Sequence, residues 1–598
     1  MNPNGAIIVQ SNLEILVEIH NPTYEAARDA IAPFTELVKS PEHLHTYRIS
    51  HLSLWNAAAT GLTAQDIEER LEAQSKYPVP SSVISEINDY MGRYGLLKLY
   101  KEDDNLVLES TDPVAFLEII NMKEMEQYIV SLLSDTKAIV DPSRRGMLKM
   151  MLTNSGFPVE DLAGYTIGDP LPISLRETTL TGKEFKLRDY QKEAAQIFYA
   201  SGSEKGGSGV VVLPCGSGKT VIGMAAMSLV QTKTLILTPN VSASRQWIRE
   251  ILDKTTLTAD QVKEYSGEVK EIGPVTVATY QILTQHKRTK KKGADEDENE
   301  VEEVKEMSYF NIFGAEKWGL MIYDEVHLLP APVFRLSAEM QATRRLGLTA
   351  TLVREDGKET EVFSLIGPKK FDVPWRVLES QGWIAKANCS EIRIPMEPAV
   401  KMKYALADMR EKIVIASTNP TKNEIVQKLI NYHSSEHDRV LIIGQYIEQL
   451  EALSKMLNIP LITGKTPNKE RDTLYAAFRA GSLKNLMISK VGNFAIDLPD
   501  ANVLIQISGT FGSRQEEAQR LGRVLRPKSD GGSAFFYSIV TQDSREQEFA
   551  MNRQLFLTEQ GYAYKIIKRG DWDVISRTPE ELQALRAQQA AEATQEAN

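Results

Sequence analysis

The stretch that most constrains the fold is Val210-Val211-Val212-Leu213, followed by Pro214-Cys215-Gly216-Ser217-Gly218-Lys219-Thr220 and a helical run from Val221 to Val230. A buried strand, a glycine-rich loop and a helix, in that order, let the backbone wrap closely around phosphate. The helix start adds unpaired N–H groups and a positive dipole end. In that arrangement Gly216, Ser217 and Gly218 line the loop, Lys219 reaches the β- and γ-phosphates of ATP, and Thr220 holds Mg2+. The full phosphate-loop pattern has a glycine five residues before Gly218, where this chain has Leu213. That departure points towards a motor ATPase and away from a small-molecule kinase.

About a hundred residues on, the apolar run Leu320-Met321-Ile322-Tyr323 ends in Asp324-Glu325-Val326-His327. An aspartate at the end of a buried strand is a poor core residue but a good magnesium ligand beside a phosphate loop. Glu325 is placed to orient and deprotonate an attacking water. Near the far end, Gln519-Arg520-Leu521-Gly522-Arg523-Val524-Leu525-Arg526 supplies arginines that can neutralise charge on a transferred phosphoryl group. Arg523 and Arg526 are the candidates, and they come from outside the phosphate-loop domain.

The elements around these motifs form two sets of alternating buried strands and helices. The first has strands at 210–213, 234–237, 275–277 and 320–323; the second has them at 440–443, 486–489, 503–506 and 534–537. Tandem parallel-sheet α/β domains are expected, at 181–388 and 389–560, with a C-terminal tail at 561–598. Inside the first, a basic cluster at 287–292 and an acidic one at 295–306 read as a solvated insertion. Ahead of both lies an N-terminal α+β accessory region. Two short strands flank a turn at Ser11-Asn12, helices start near Thr63 and Ser82, and a hairpin turns at 101–104, the order of a winged-helix module. Residues 1–110 are expected to form this domain and 111–180 a small α/β unit.

The formal charge of −11 at first argues against a nucleic-acid partner. Its distribution removes the objection: residues 1–180 hold 14 basic and 26 acidic side chains, whereas 181–388 hold 28 of each. The acidity marks an N-terminal protein-docking or self-restraining surface, and local DNA contact by the winged helix is disfavoured. Two cysteines, Cys215 and Cys389, are too few for a disulfide framework. The chain shows neither a signal-peptide pattern nor an 18-residue apolar run, so a cytoplasmic protein without membrane contact is expected.

The three main motifs in this order resemble superfamily 2 helicases, whose two motor domains are RecA-like. Leu187-Arg188-Asp189-Tyr190-Gln191 is similar to the adenine-recognising segment, with Gln191 reading the base. Thr238-Pro239-Asn240, Thr279-Tyr280 and Thr349-Ala350-Thr351 resemble strand-contact and coupling motifs, and Ser489 to Asp497 resembles the second domain's coupling motif. Leu352-Val353-Arg354-Glu355-Asp356, the Asp324–His327 run and Glu517–Arg526 together resemble the XPB family of DNA repair helicases. Ser40-Pro41-Glu42-His43 and Leu54-Trp55-Asn56 are similar to its bacterial branch.

That resemblance implies an ATP-dependent 3′ to 5′ DNA helicase or translocase acting on forked DNA or single-stranded/duplex junctions. Arg354, Glu355 and Asp356 would separate strands; His327, Thr349, Thr351, Asp497 and Gln519 would couple nucleotide state to DNA. It also implies a thumb-like DNA grip near 395–420, a damage-recognition role for 111–180, and partnership with a nuclease or with TFIIH. The alternative is an ATP-gated DNA clamp that recruits a nuclease without processive unwinding.

Overall fold

The computed structural model describes residues 2–40, 43–165, 167–203, 205–214, 216–284, 312, 315–330, 343–350, 359–373, 375–435, 437–489, 501–509, 533–559, 562, 564–569 and 572. They divide into two compact units, Met1–Leu213 with Gly218–Val373, and Pro214–Ser217 with Pro374–Asn598. Among the described residues, no helix is long and apolar enough to cross a membrane.

The first unit begins with an antiparallel sheet of β1 (Ile7–Val9), β2 (Glu14–Glu18), β3 (Glu36–Lys39) and β4 (Leu44–Arg48), in the order β1-β2-β4-β3. Ile7, Val9, Ile15 and Val17 alternate into its core, as a period of two requires. The helix Ala64–Gln74 starts where expected, because the Thr63 side chain accepts from the Asp66 N–H and the Asp66 side chain accepts from Thr63 in return. Trp55, on the helix His51–Ala59, is fully buried and donates its indole N–H to Tyr90 O at 3.0 Å. Its neighbour Asn56 accepts from the Lys369 backbone N–H at 2.9 Å, which fastens the accessory region to the motor sheet described below.

A second sheet comprises β5 (Leu97–Glu102), β6 (Asn105–Ser110), β7 (Ile129–Ser134), β8 (Lys137–Val140) and β9 (Val159–Asp161), ordered β7-β8-β6-β5-β9. The expected boundary at 110/111 falls inside it. The hairpin expected to be a wing is an interior pair, flanked by β8 and β9. The reason is apolar: Leu97, Leu99, Leu106 and Leu108 bury themselves with Phe116, Ile119, Leu148 and Leu152, contacts that a free wing does not provide.

The first motor sheet holds β10 (Ser208–Val212), β11 (Thr234–Thr238), β12 (Val262–Tyr265), β13 (Val275–Thr279), β14 (Leu320–Asp324), β15 (Arg344–Thr349) and β16 (Lys369–Asp372). All pairs are parallel and the order is β12-β13-β11-β14-β15-β10-β16. The central strands are buried along most of their length and are largely apolar, although β15 carries the buried Arg345.

The second unit repeats the plan with β17 (Ala387–Ile394), β18 (Val440–Gly444), β19 (Leu461–Ile462), β20 (Asn485–Ser489), β21 (Val503–Gln506), β22 (Ala534–Thr541) and β23 (Tyr564–Ile567). Its order is β19-β20-β18-β21-β22-β17-β23, again all parallel. β23 lies beyond the expected end at 560: residues assigned to a tail add an edge strand and place Ile567 and Trp572 in the core. The expected thumb-like segment consists of two helices, Pro398–Leu406 and Met409–Ser417.

Candidate ATP-binding and hydrolysis site

Gly216 and Gly218 both take φ of +83°, a conformation that ordinary side chains resist. Space is a second restriction at Gly218, where a Cβ would lie 2.5 Å from Gln191 Nε2. Gln191 is buried, and its Oε1 accepts from the Arg188 N–H at 3.1 Å; the expected adenine reader is thus held against the loop. Within the loop, Ser217 Oγ donates to Pro214 O at 2.7 Å. Lys219 opens the helix Lys219–Val230 and is buried, and Thr220 follows it half-buried.

Lys219 Nζ donates to Leu213 O at 3.3 Å and lies 3.7 Å from Glu325 Oε1. Glu325 follows β14 in a left-handed conformation, φ +49°, a strain that functional carboxylates at strand ends tolerate when their neighbours hold them. Its Oε2 is buried, accepts no hydrogen bond among the described residues, and sits 3.5 Å from His327 Nδ1. His327 in turn shares a 2.7 Å hydrogen bond with Thr349 Oγ1 at the end of β15. Two residues expected to couple, His327 and Thr349, therefore meet across 22 positions of sequence.

Asp324 Oδ2 accepts from the Trp247 indole N–H at 2.9 Å, and its backbone carbonyl accepts from the Tyr280 hydroxyl at 2.8 Å. Burial, and next the adjoining Glu325 carboxylate, push Asp324 up to about 6 against the indole N–H and the Lys219 ammonium, which favour its charged form. Trp247 was not anticipated from sequence, because a tryptophan on an amphipathic helix reads as core. Its only distinguishing signal is that a buried indole N–H needs an acceptor.

The chain is 48% identical over 571 residues to the DNA 3′-5′ helicase XPB of Kineococcus radiotolerans, covering 95% of this chain and 98% of that protein. To the DNA 3′-5′ helicase XPB of Mycobacterium tuberculosis it is 49% identical over 569 residues, with the same two coverages. The chain belongs to the XPB family of DNA helicases.

Within XPB proteins the likeness extends to the general transcription and DNA repair factor IIH helicase/translocase subunit XPB of Danio rerio, 31% identical over 96% of this chain and 81% of that one. Family descriptions match in three places: ERCC3/RAD25/XPB C-terminal helicase at 378–595, type III restriction enzyme, res subunit, at 184–354, and helicase conserved C-terminal domain at 7–134. XPB helicases use ATP, and the residues present fit it. Gly218 takes a positive φ that suits a close backbone approach to phosphate, and a Glu325 oxygen is buried without a hydrogen-bond donor among the described residues. The other expected residues, Thr351, Arg354, Glu355, Asp356, Asp497, Gln519, Arg523 and Arg526, and the charged insertion at 286–306, lie outside the described residues.

Proposed function

We propose that this XPB helicase hydrolyses ATP at the loop Gly216–Thr220, with Glu325 activating the attacking water, and uses the energy to move 3′ to 5′ along DNA and separate its strands in DNA repair. The observation that carries this reading is the Lys219–Glu325–His327–Thr349 chain of contacts. Lys219 would neutralise outer-phosphate charge, and Glu325 Oε2 accepts no hydrogen bond among the described residues. His327 and Thr349 link that carboxylate to the end of β15, the direction in which Arg354, Glu355 and Asp356 follow in sequence.

Thr220 and Asp324 would hold Mg2+, which when bound supplies charge neutralisation to the phosphates. Such an ion takes only one or two protein oxygens and draws the remainder from phosphate and water, so no larger acidic cluster is needed. Gln191 would read adenine, Arg523 and Arg526 would stabilise charge on the transferred phosphoryl group, and Thr351, Asp497 and Gln519 would complete the coupling. Forked or junction DNA is the proposed substrate, the acidic N-terminal region the proposed dock for a nuclease, and the cytoplasm the proposed location.

The test is ATP hydrolysis and strand displacement on a forked duplex by the full chain. Glu325→Gln is expected to lower turnover by about 10²- to 10⁴-fold while nucleotide binding persists. Joint replacement of Arg354, Glu355 and Asp356 by alanine is expected to spare hydrolysis and remove displacement. Equal loss of both activities rejects the strand-separating role, and ATP hydrolysis by a wild-type protein that leaves duplexes annealed favours the clamp.

A further inference from the structure

Trp247 lies on the helix Val241–Lys254, 77 residues before Asp324, and is 1% exposed. Its ring fills a gap made by a missing side chain: a Cβ on Gly223 would stand 2.5 Å from Trp247 Cη2 and 3.0 Å from Cζ3. Gly223 belongs to the helix that starts at Lys219, so the indole is lodged between the phosphate-loop helix and strand β14. Packing alone would be satisfied by any large aromatic ring. What phenylalanine could not supply is the N–H aimed at Asp324 Oδ2.

A carboxylate beside another carboxylate tends to rotate away, because like charges repel at short range. The indole donor opposes that rotation. It engages Oδ2 of Asp324 at 2.9 Å and so fixes the orientation of the carboxylate. Groups that hydrogen-bond to metal ligands set ligand orientation and metal affinity in this way.

We infer that Trp247 is a positioning residue for the divalent cation, acting through its indole N–H on Asp324. The inference rests on the proposed assignment of Asp324 as metal ligand. The helix it rides on opens at Asn240, whose Oδ1 accepts from the Ala243 N–H at 2.9 Å, and Thr238 Oγ1 lies 2.7 Å from Ser244 Oγ. These contacts hold the helix start in place, so the indole is presented from a fixed platform.

The experiment uses the full chain, wild type, Trp247→Phe and Asp324→Asn, with Mn2+ binding in the presence of a non-hydrolysable ATP analogue read by electron paramagnetic resonance. Trp247→Phe is expected to weaken Mn2+ binding by about 10-fold. Its ATPase should need correspondingly more Mg2+ for half-maximal rate and recover when Mg2+ is in excess, a rescue that damaged packing would not show. Asp324→Asn should lose the Mn2+ site. Unchanged Mn2+ affinity in Trp247→Phe, with the site lost in Asp324→Asn, overturns the inference and leaves the ATP site standing. Retention of the site in Asp324→Asn overturns the metal assignment itself. Should Trp247→Phe fail to fold, ¹H–¹⁵N spectra of the indole groups in wild type decide: Mn2+ with nucleotide should broaden one indole N–H beyond detection, and no broadening overturns the inference.

Discussion

Numbered from its own first strand, each motor sheet has the order 3-4-2-5-6-1-7, yet the two carry different residues beyond matching strands. In the first, strand 1 is β10 and opens into Gly216-Ser217-Gly218-Lys219-Thr220; in the second, strand 1 is β17 and opens into Pro395-Met396-Glu397, with a helix that begins on Pro398. Strand 5 of the first ends at Asp324 and is followed by Glu325, and strand 5 of the second ends at Gln506. Identical topology thus brings different residues to equivalent carboxyl ends, where ligands of parallel sheets bind.

Each motor also has a lysine–carboxylate contact, and the two differ in how completely they are satisfied. Lys422 Nζ lies 2.6 Å from Glu546 Oε1 and donates to Ile507 O at 2.7 Å, while Glu546 Oε2 accepts from the Thr541 N–H at 3.0 Å. Both side chains are almost wholly buried. Lys219 and Glu325 stand 3.7 Å apart, and one carboxylate oxygen there lacks a hydrogen bond among the described residues. Hydrogen bonds close the second pair, whereas the first leaves a carboxylate oxygen open among the described residues.

The sharpest way to break this contrast is Lys219→Ala, expected to reduce DNA-stimulated ATP hydrolysis to background; a variant retaining most of that activity removes the site from the first sheet. Next comes Lys422→Met, which strands Glu546 without a partner and is expected to cost about 3–5 kcal/mol in urea unfolding of the second unit. Replacing Glu546 with leucine in the same chain should recover much of that loss, since an apolar pair can substitute for a buried ionic one. No destabilisation by Lys422→Met would show the second pair to be as open as the first.

A smaller, pH-dependent effect concerns Asp161, which binds Arg145 at 2.6 Å and Lys149 at 2.9 Å. Burial raises its pKa, but the Lys149 and Arg145 cations outweigh burial and hold the carboxyl well below the usual range. A depressed acid contributes stability above its unfolded value, near 4, that is lost as pH falls through the folded value. Asp161→Asn is therefore expected to lower first-unit stability at neutral pH and flatten its decline under acid. Acid unfolding monitored by circular dichroism checks this, and an unaltered slope rejects it.

Strands made of unbroken apolar residues were legible in the sequence because burial on both faces leaves no polar position to confuse the pattern. β15 and β17 were not: Arg345 and Glu391 sit inside them, fully buried, and break the apolar run. Arg345 is accommodated because its Nε donates to Leu365 O at 2.8 Å, a contact 20 residues away. The hairpin at 97–110 had the right strands and the wrong setting, since two antiparallel strands look alike whether they form a free wing or the middle of a sheet.

By itself the sequence determined two parallel-sheet motors, a phosphate loop, its acidic partner strand and the family motifs, because each is encoded by neighbouring residues. Only the tertiary structure decided that Trp247 serves Asp324, that Lys422 is closed by Glu546 124 residues later, and that residues after 560 complete a sheet. Local periodicity says which face of an element is buried, but which polar group waits on the opposing face depends on how distant elements pack.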